Sequence, residues 1–122
     1  GAFRGTKAVL PVMKEQQSGD VLNISSVAGK TGFGGASAYC ASKFGMIALT
    51  ESLLEEGVKH HIRSTAICPG YVATPMVAEV GVPQEEMIPP EDIAKLVSSL
   101  LHLAPHTVIR GIVVNRTGSV EG

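Results

Sequence analysis

Three short apolar runs constrain this chain more than any other feature: VLNIS at 21–25, IRSTAICP at 62–69 and VIRGIVVN at 108–115. Each has the length and composition of a buried strand in a parallel sheet. A segment of helical character stands before each run. Parallel strands cannot be joined by a tight turn and need a crossover of about a dozen residues or more. The order helix–strand–helix–strand–helix–strand therefore predicts parallel strands, right-handed crossovers and an α/β layer fold.

The helical segments differ in what they offer the sheet. The first places Phe3, Leu10 and Met13 near one face, with Ala2 and Val9 beside it. Pro11 predicts a kink there, and Ser18-Gly19 a stop. The chain opens at Gly1, without Met or an N-capping side chain; this reads as a chain cut inside or just before a helix. The second helix is expected from about Ser37 to His60, after a glycine-rich connection at 29–36. Ala38, Ala41, Gly45 and Ala48 give it a stripe of small residues suited to close approach of another element. Glu55 and Lys59 are spaced to pair on its exposed side. Pro90-Glu91-Asp92 opens the third helix, with proline and acids in the first turn as the helix dipole favours. Ile93, Leu96, Val97, Leu100 and Leu101 form its core-facing side, and Pro105 closes it. Residues 71–90 hold four prolines and no clear period, which predicts a loop or mobile flap. No internal repeat or low-complexity segment interrupts this order.

Composition excludes several functions. The 122 residues amount to one small domain at most, or a piece of a larger one. Hydrophobic residues make up 44% and aromatics 4%, so the core is aliphatic. A net charge of −1 supplies no basic field for nucleic acid. No apolar run reaches the roughly 18 residues of a membrane span, and no signal segment is present. Cys40 and Cys68 lie in apolar-periodic segments without paired spacing, which points to free thiols in a reducing compartment. The expectation is a soluble cytoplasmic protein.

The chemistry concentrates in NISSVAGKTGFGGASAYCASK, residues 23–43. Its middle, Gly29-Lys30-Thr31, suggests a phosphate-binding loop. That motif needs a further glycine at position 24, where Ile24 stands, and a helix opening at the Thr, where Gly32-Phe33-Gly34-Gly35 follows. Gly32-x-Gly34 is no better as a dinucleotide signal, because no strand directly precedes it. Both readings fail on these counts.

The ends of the stretch carry a different proposition. Tyr39 and Lys43 are four apart on the second helix, hence on one face and within reach of each other. A phenol is a poor acid–base at neutral pH, and an ammonium within about 4–6 Å favours its ionised form. Ser26 lies at the end of a strand, where side chains of parallel α/β sheets meet the ligand crevice. A hydroxyl there can donate to a carbonyl oxygen while Tyr39 delivers or removes a proton. Tyr-x-x-x-Lys spacing alone recurs by chance in many helices; the set of three carries the signal. His60 and His61 suit a helix C-terminus, Ser25 packs or caps beside Ser26, and Met13, Met46, Met76 and Met87 are gap-fillers or, for those in the flap, lining of a substrate pocket.

NISS, then YxASK with thirteen positions from Ser26 to Tyr39, then P-G-x-V-x-T at Pro69–Thr74 together resemble the short-chain dehydrogenase/reductase family, in its compact single-domain branch. ICPGYVATPM and PEDIAKLV are similar to the family's later segments. The resemblance implies the C-terminal half of a Rossmann-like doubly wound parallel sheet, with helices on both faces. It implies a hydride transfer between NAD or NADP and a carbonyl/alcohol carbon of a small-molecule substrate. Tyr39 would be the general acid/base, Lys43 would lower its pKa and hold the nicotinamide ribose, and Ser26 would polarise the carbonyl. Asn23 would support the strand end. Pro69, Gly70 and Val72 would lie along the nicotinamide, with Thr74 near its carboxamide. The first two helices would pack against a second subunit in a dimer or tetramer.

Against the family's pattern, 1–122 lacks the glycine-rich pyrophosphate turn, the residue selecting NAD or NADP, and the asparagine that completes the catalytic set, expected just before Gly1. The usual Asp-Gly-Gly after the last strand is replaced by Asn115-Arg116-Thr117-Gly118. Two rivals stand beside the oxidoreductase: a sugar-nucleotide epimerase or dehydratase using the same Tyr–Lys pair, and a non-catalytic regulatory protein on this fold. The short segment after Lys43 disfavours the first, and the intact Ser–Tyr–Lys set the second.

Overall fold

A computed structural model describes residues 1–29 and 34–119 of the chain. Helix α1 spans Ala2–Gln16, strand β1 Gly19–Ile24, helix α2 Ser37–Gly57, strand β2 Ile62–Pro69, helix α3 Pro90–Leu101 and strand β3 Gly111–Val114. The three strands form one sheet in the order β1-β2-β3, with both pairings parallel. Gly19–Ile24 runs in register with Ile62–Ile67, and Ala66–Pro69 with Gly111–Val114. The alternating pattern of the sequence is thus a partial α/β sheet.

β2 is central, so both its hydrogen-bonding edges are paired, and Ile62, Ser64, Ile67 and Cys68 are fully buried. Leu53 and Leu54 of α2 join them in the core. Gly57 allows α2 to close on β2: a Cβ there would stand 3.0 Å from Ile62 Cβ, tighter than ordinary contact. Cys40 and Cys68 are both buried and form no disulfide. Ser64 Oγ is buried without a hydrogen-bond partner among the described residues; nothing in the structure accounts for it.

Several boundaries depart from expectation. α2 stops at Gly57, and Val58–His60 form a 3₁₀ turn that ends at His61 in the left-handed region, φ 61°. This takes Lys59 off the α-helical path, and the Glu55–Lys59 pair does not form; among the described residues the ion pair is Arg63–Asp20. β3 is shorter than 108–115. Its approach is still laced to β2, with Thr65 Oγ1 donating to the Ile109 carbonyl and the Ala66 amide to that of Arg110. α3 ends at Leu101, four residues before Pro105, which lacks the amide that would donate to the Leu101 carbonyl. Beyond it Arg63 Nη1 donates to the carbonyls of Leu103, Ala104 and Thr107 at 3.3, 2.8 and 3.1 Å.

α1 continues through Pro11, but its inward line is Ala2, Thr6, Leu10 and Met13, with Thr6 buried. Phe3, expected on that face, is 66% exposed, and Val9 is also exposed. Ala38, Ala41, Gly45 and Ala48 of α2 are all exposed, and a Cβ at Gly45 would meet nothing within 4 Å. No helix among the described residues is long and apolar enough to cross a membrane. Lys30, Thr31, Gly32 and Phe33, which decide the phosphate-loop and Gly-x-Gly readings and make up half of the glycine-rich connection, lie outside the described residues.

Candidate functional site

The carboxyl ends of parallel strands carry unpaired backbone and open onto the crevice where α/β folds hold ligands. Here three such ends are drawn together. β1 continues one rung past Ile24, the Ser25 amide donating to the Ile67 carbonyl at 2.7 Å. The chain then turns through Val27–Gly29, with the Gly29 amide donating to the Ser26 carbonyl at 2.9 Å.

This turn is fastened to α2. Ser25 Oγ donates to the Lys43 carbonyl at 2.9 Å. One pleat back on the same side of the strand, buried Asn23 donates from Nδ2 to Thr50 Oγ1 at 2.9 Å, and Thr50 donates on to the Met46 carbonyl at 2.7 Å. Asn23 supports the strand end, as expected of it. Gly29 is needed for the same contact: a Cβ there would stand 2.7 Å from Ser25 Oγ and 2.9 Å from the Lys43 carbonyl oxygen.

Tyr39 and Lys43 share the face of α2 turned toward the strand end. Lys43 Nζ stands 5.6 Å from the Tyr39 ring centroid, inside the range of a cation–π contact. The same ammonium reaches the Ile24 carbonyl at 3.5 Å and Met46 Sδ at 3.9 Å. It therefore bridges the helix face to the end of β1. Both residues are half-buried, and Ser26 is buried.

At the end of β2, the Gly70 amide donates to the Val114 carbonyl at 2.8 Å, bringing the end of β3 alongside. The segment expected as an irregular flap is anchored by backbone: Val72 forms a parallel bridge with Ile88, and the Ile88 and Ala73 amides donate to the Tyr71 and Ile88 carbonyls, each at 2.9 Å. Met87 and Ile88 are buried beneath it. Short 3₁₀ turns at Pro75–Val77 and Gln84–Glu86 complete it.

These elements border an open cavity of about 830 Å³. Ser26, Tyr39 and Lys43 all line it. So do Pro69, Gly70, Val72 and Thr74, and Met76, which is 77% exposed at the rim. Sequence reasoning missed Tyr71, Ile93, Asn115, Arg116 and Ser119. For Asn115 and Arg116 the signal was their place just after the last apolar run, the same logic that selected Ser26. The histidine pair stands elsewhere, His60 Nδ1 lying 3.1 Å from Gln17 Nε2.

Pro69 and Val72 give this cavity an apolar wall, with the Thr74 hydroxyl and the Lys43 ammonium as hydrogen-bond donors on its lining. A phenol, a hydroxyl and an ammonium facing one cavity can hold a carbonyl oxygen and move a proton to it.

A family model described as short chain dehydrogenase matches residues 1–85. The acetoacetyl-CoA reductase of Acinetobacter sp. (strain RA3849) is 38% identical over 109 residues, covering 81% of this chain and 44% of the relative. The human (3R)-3-hydroxyacyl-CoA dehydrogenase is 43% identical over 113 residues, covering 82% and 42%. A crystal structure of a 3-oxoacyl-[acyl-carrier protein] reductase with bound NAD from Brucella melitensis superposes with a TM-score of 0.80 at 30% identity, covering 93% of this chain and 46% of that one. The chain spans less than half the length of each of these proteins, and the structural likeness reaches beyond the family match at residue 85.

Proposed function

The chain belongs to the short chain dehydrogenase family, and from that premise we propose that its protein is an NAD(P)-dependent oxidoreductase acting on a carbonyl/alcohol carbon. The observation that carries this reading is the meeting of Ser26, Tyr39 and Lys43 on one cavity with Pro69, Gly70, Val72 and Thr74. In the reducing direction the Ser26 hydroxyl donates to the carbonyl oxygen and orients it. Tyr39 gives its hydroxyl proton to that oxygen as the carbon becomes an alcohol; in the oxidising direction the proton returns. Lys43 holds positive charge beside the phenol and presents donors to ribose hydroxyls. A bound nicotinamide, of NAD or NADP, supplies or accepts the hydride.

Pro69, Gly70 and Val72 are the proposed wall for the nicotinamide face, with Thr74 beside its carboxamide. The cavity's donor set suits this end of the dinucleotide. We assign 1–122 to the C-terminal half of a Rossmann-like NAD(P)-binding domain, a reading supported by its share of its relatives' length. The exposed small-residue stripe of α2 and the outer side of α1 are the proposed contact with a second subunit.

The test is turnover of NADH and NADPH by the full-length protein against a panel of ketones, aldehydes and oxo acids, wild type beside Tyr39→Phe. Reduction that Tyr39→Phe abolishes supports the reading. A sugar-nucleotide epimerase would convert its substrate with no net nicotinamide consumed, and a regulatory protein would bind without turnover. Either result would overturn it.

A further inference from the structure

The end of β3 puts a cation into the cavity that the chemistry above does not use. Arg116 follows β3 as Ser25 and Ser26 follow β1 and as Gly70 follows β2, at the carboxyl edge where crevices form. Asn115 Oδ1 lies beside Gly70, 3.8 Å from where a Cβ would stand, so the two strand ends are in contact. The next turn holds the Arg116 backbone, its carbonyl accepting from Ser119 Oγ at 2.9 Å and from the Ser119 amide at 3.1 Å. Gly118 clears room for the side chain: a Cβ there would overlap the guanidinium.

Two charged side chains line this cavity among the described residues, Lys43 and Arg116, and no carboxylate does. The rest is largely apolar. Arg116 is half-buried, and its guanidinium makes no ion pair or side-chain hydrogen bond among the described residues. It also borders a second hollow of about 410 Å³, where Glu85, Glu86 and Asp92 stand, but none of them is within 4.0 Å of it. A guanidinium partly removed from water and left unpaired is costly, and a carboxylate received in its fork offsets that cost through two parallel hydrogen bonds.

We propose that Arg116 is the substrate-recognition residue of this site and that the substrate carries a carboxylate besides its reacting carbonyl or alcohol group. The inference rests on the oxidoreductase reading above for what reacts, and on Arg116 alone for what is recognised. Discrimination arises because a neutral substrate leaves the guanidinium unpaired when it closes off the cavity.

The experiment compares an oxo acid with its own methyl ester, in the full-length protein, for wild type, Arg116→Lys and Arg116→Met. Wild type should prefer the acid. Arg116→Met should lower kcat/KM for the acid by about 10- to 100-fold, the worth of a hydrogen bond to a charged group. For the ester kcat/KM should not fall but rise, because the guanidinium that the ester leaves unpaired is gone, and Arg116→Lys should fall between wild type and Arg116→Met on the acid. Calorimetric titration with the saturated carboxylate of the same length gives a second readout that needs no turnover: wild type should bind it and Arg116→Met should not. Acid and ester falling together, an acid preference that survives Arg116→Met, or carboxylate binding indifferent to Arg116 would each overturn the proposal. Arg116-dependent carboxylate binding with neither compound reduced would uphold it and sink the oxidoreductase reading instead.

Discussion

Ser25 donates its hydroxyl hydrogen to the backbone carbonyl of Lys43 across 2.9 Å, so the last rung of β1 is tied to the helix that presents Tyr39. Two neighbouring serines therefore hold different stations. Both are buried and both border the cavity, but Ser25 spends its hydroxyl on the Lys43 carbonyl, and Ser26 alone has the thirteen-residue spacing to Tyr39. Ser26→Ala should lower kcat severely. Ser25→Ala should act through geometry, with a smaller loss of kcat and a stability loss of about 1 kcal/mol, typical of one intramolecular hydrogen bond. Steady-state kinetics and denaturant midpoints on the full-length protein check both; equal or reversed kinetic losses would overturn the assignment of Ser26 as the substrate-facing hydroxyl.

Tyr39→Phe removes one oxygen from a half-buried ring and leaves its packing beside Lys43 intact. Stability and cofactor affinity should hardly move. Turnover should fall by about 10²–10⁴-fold, the usual worth of general acid–base catalysis. A variant keeping more than roughly a third of wild-type kcat would refute the proton-donor role, given that range.

Lys43 has two proposed partners for one ammonium, the Tyr39 phenol and the ribose hydroxyls; that ammonium lies 5.6 Å from the Tyr39 ring centroid, steadied by the Ile24 carbonyl. Lys43→Met keeps the length of the stem and removes the charge. The expected outcome is a lower kcat together with a higher KM for the dinucleotide. A change in one without the other would assign Lys43 to a single role, and no change in either would remove it from the site.

Gly29 is where the turn after Ser26 meets α2, and two of the atoms a Cβ would strike are the partners of the Ser25 hydrogen bond. Gly29→Ala should push the turn off the helix and cost about 1–3 kcal/mol, as overpacking does. Gly45→Ala meets nothing within 4 Å in this chain. In a monomer it should be neutral or slightly stabilising by helix propensity. A clear loss from Gly45→Ala, read together with the sedimentation coefficient, would show a subunit packed on that face.

Arg63 is the central tie of the opposite end. It pairs with Asp20 at 2.7 and 3.2 Å while capping three carbonyls beyond α3. Arg63→Met should destabilise by roughly 1.5–3 kcal/mol, the scale of hydrogen bonds to a charged group, without changing KM. Arg63→Lys should recover part of this at most, because an ammonium cannot reproduce the fork. Chemical denaturation gives the first number and kinetics the second.

The features legible in the order of residues lie in short windows. The run IRSTAICP is β2 with the same bounds, 62–69, and Pro90 opens α3 as its fixed φ and missing amide predict. The spacing of Ser26, Tyr39 and Lys43 is legible because a strand end and one helical turn are local geometries. Such periods and backbone restrictions act between near neighbours, so the order of residues alone determines them. Other features were decided by which distant segments came into register. Arg63 meets Asp20 across 43 positions and Thr107 across 44, and so ties down the turn beyond α3. The bridge from Val72 to Ile88 anchors a segment that has no period of its own. Thr6 rather than Phe3 is buried because burial depends on what overlies a face. Arg116 stands at a strand end that the apolar run 108–115 marks, but which cavity that end meets was decided by the pairing of β3 with β2, which sets it beside Gly70.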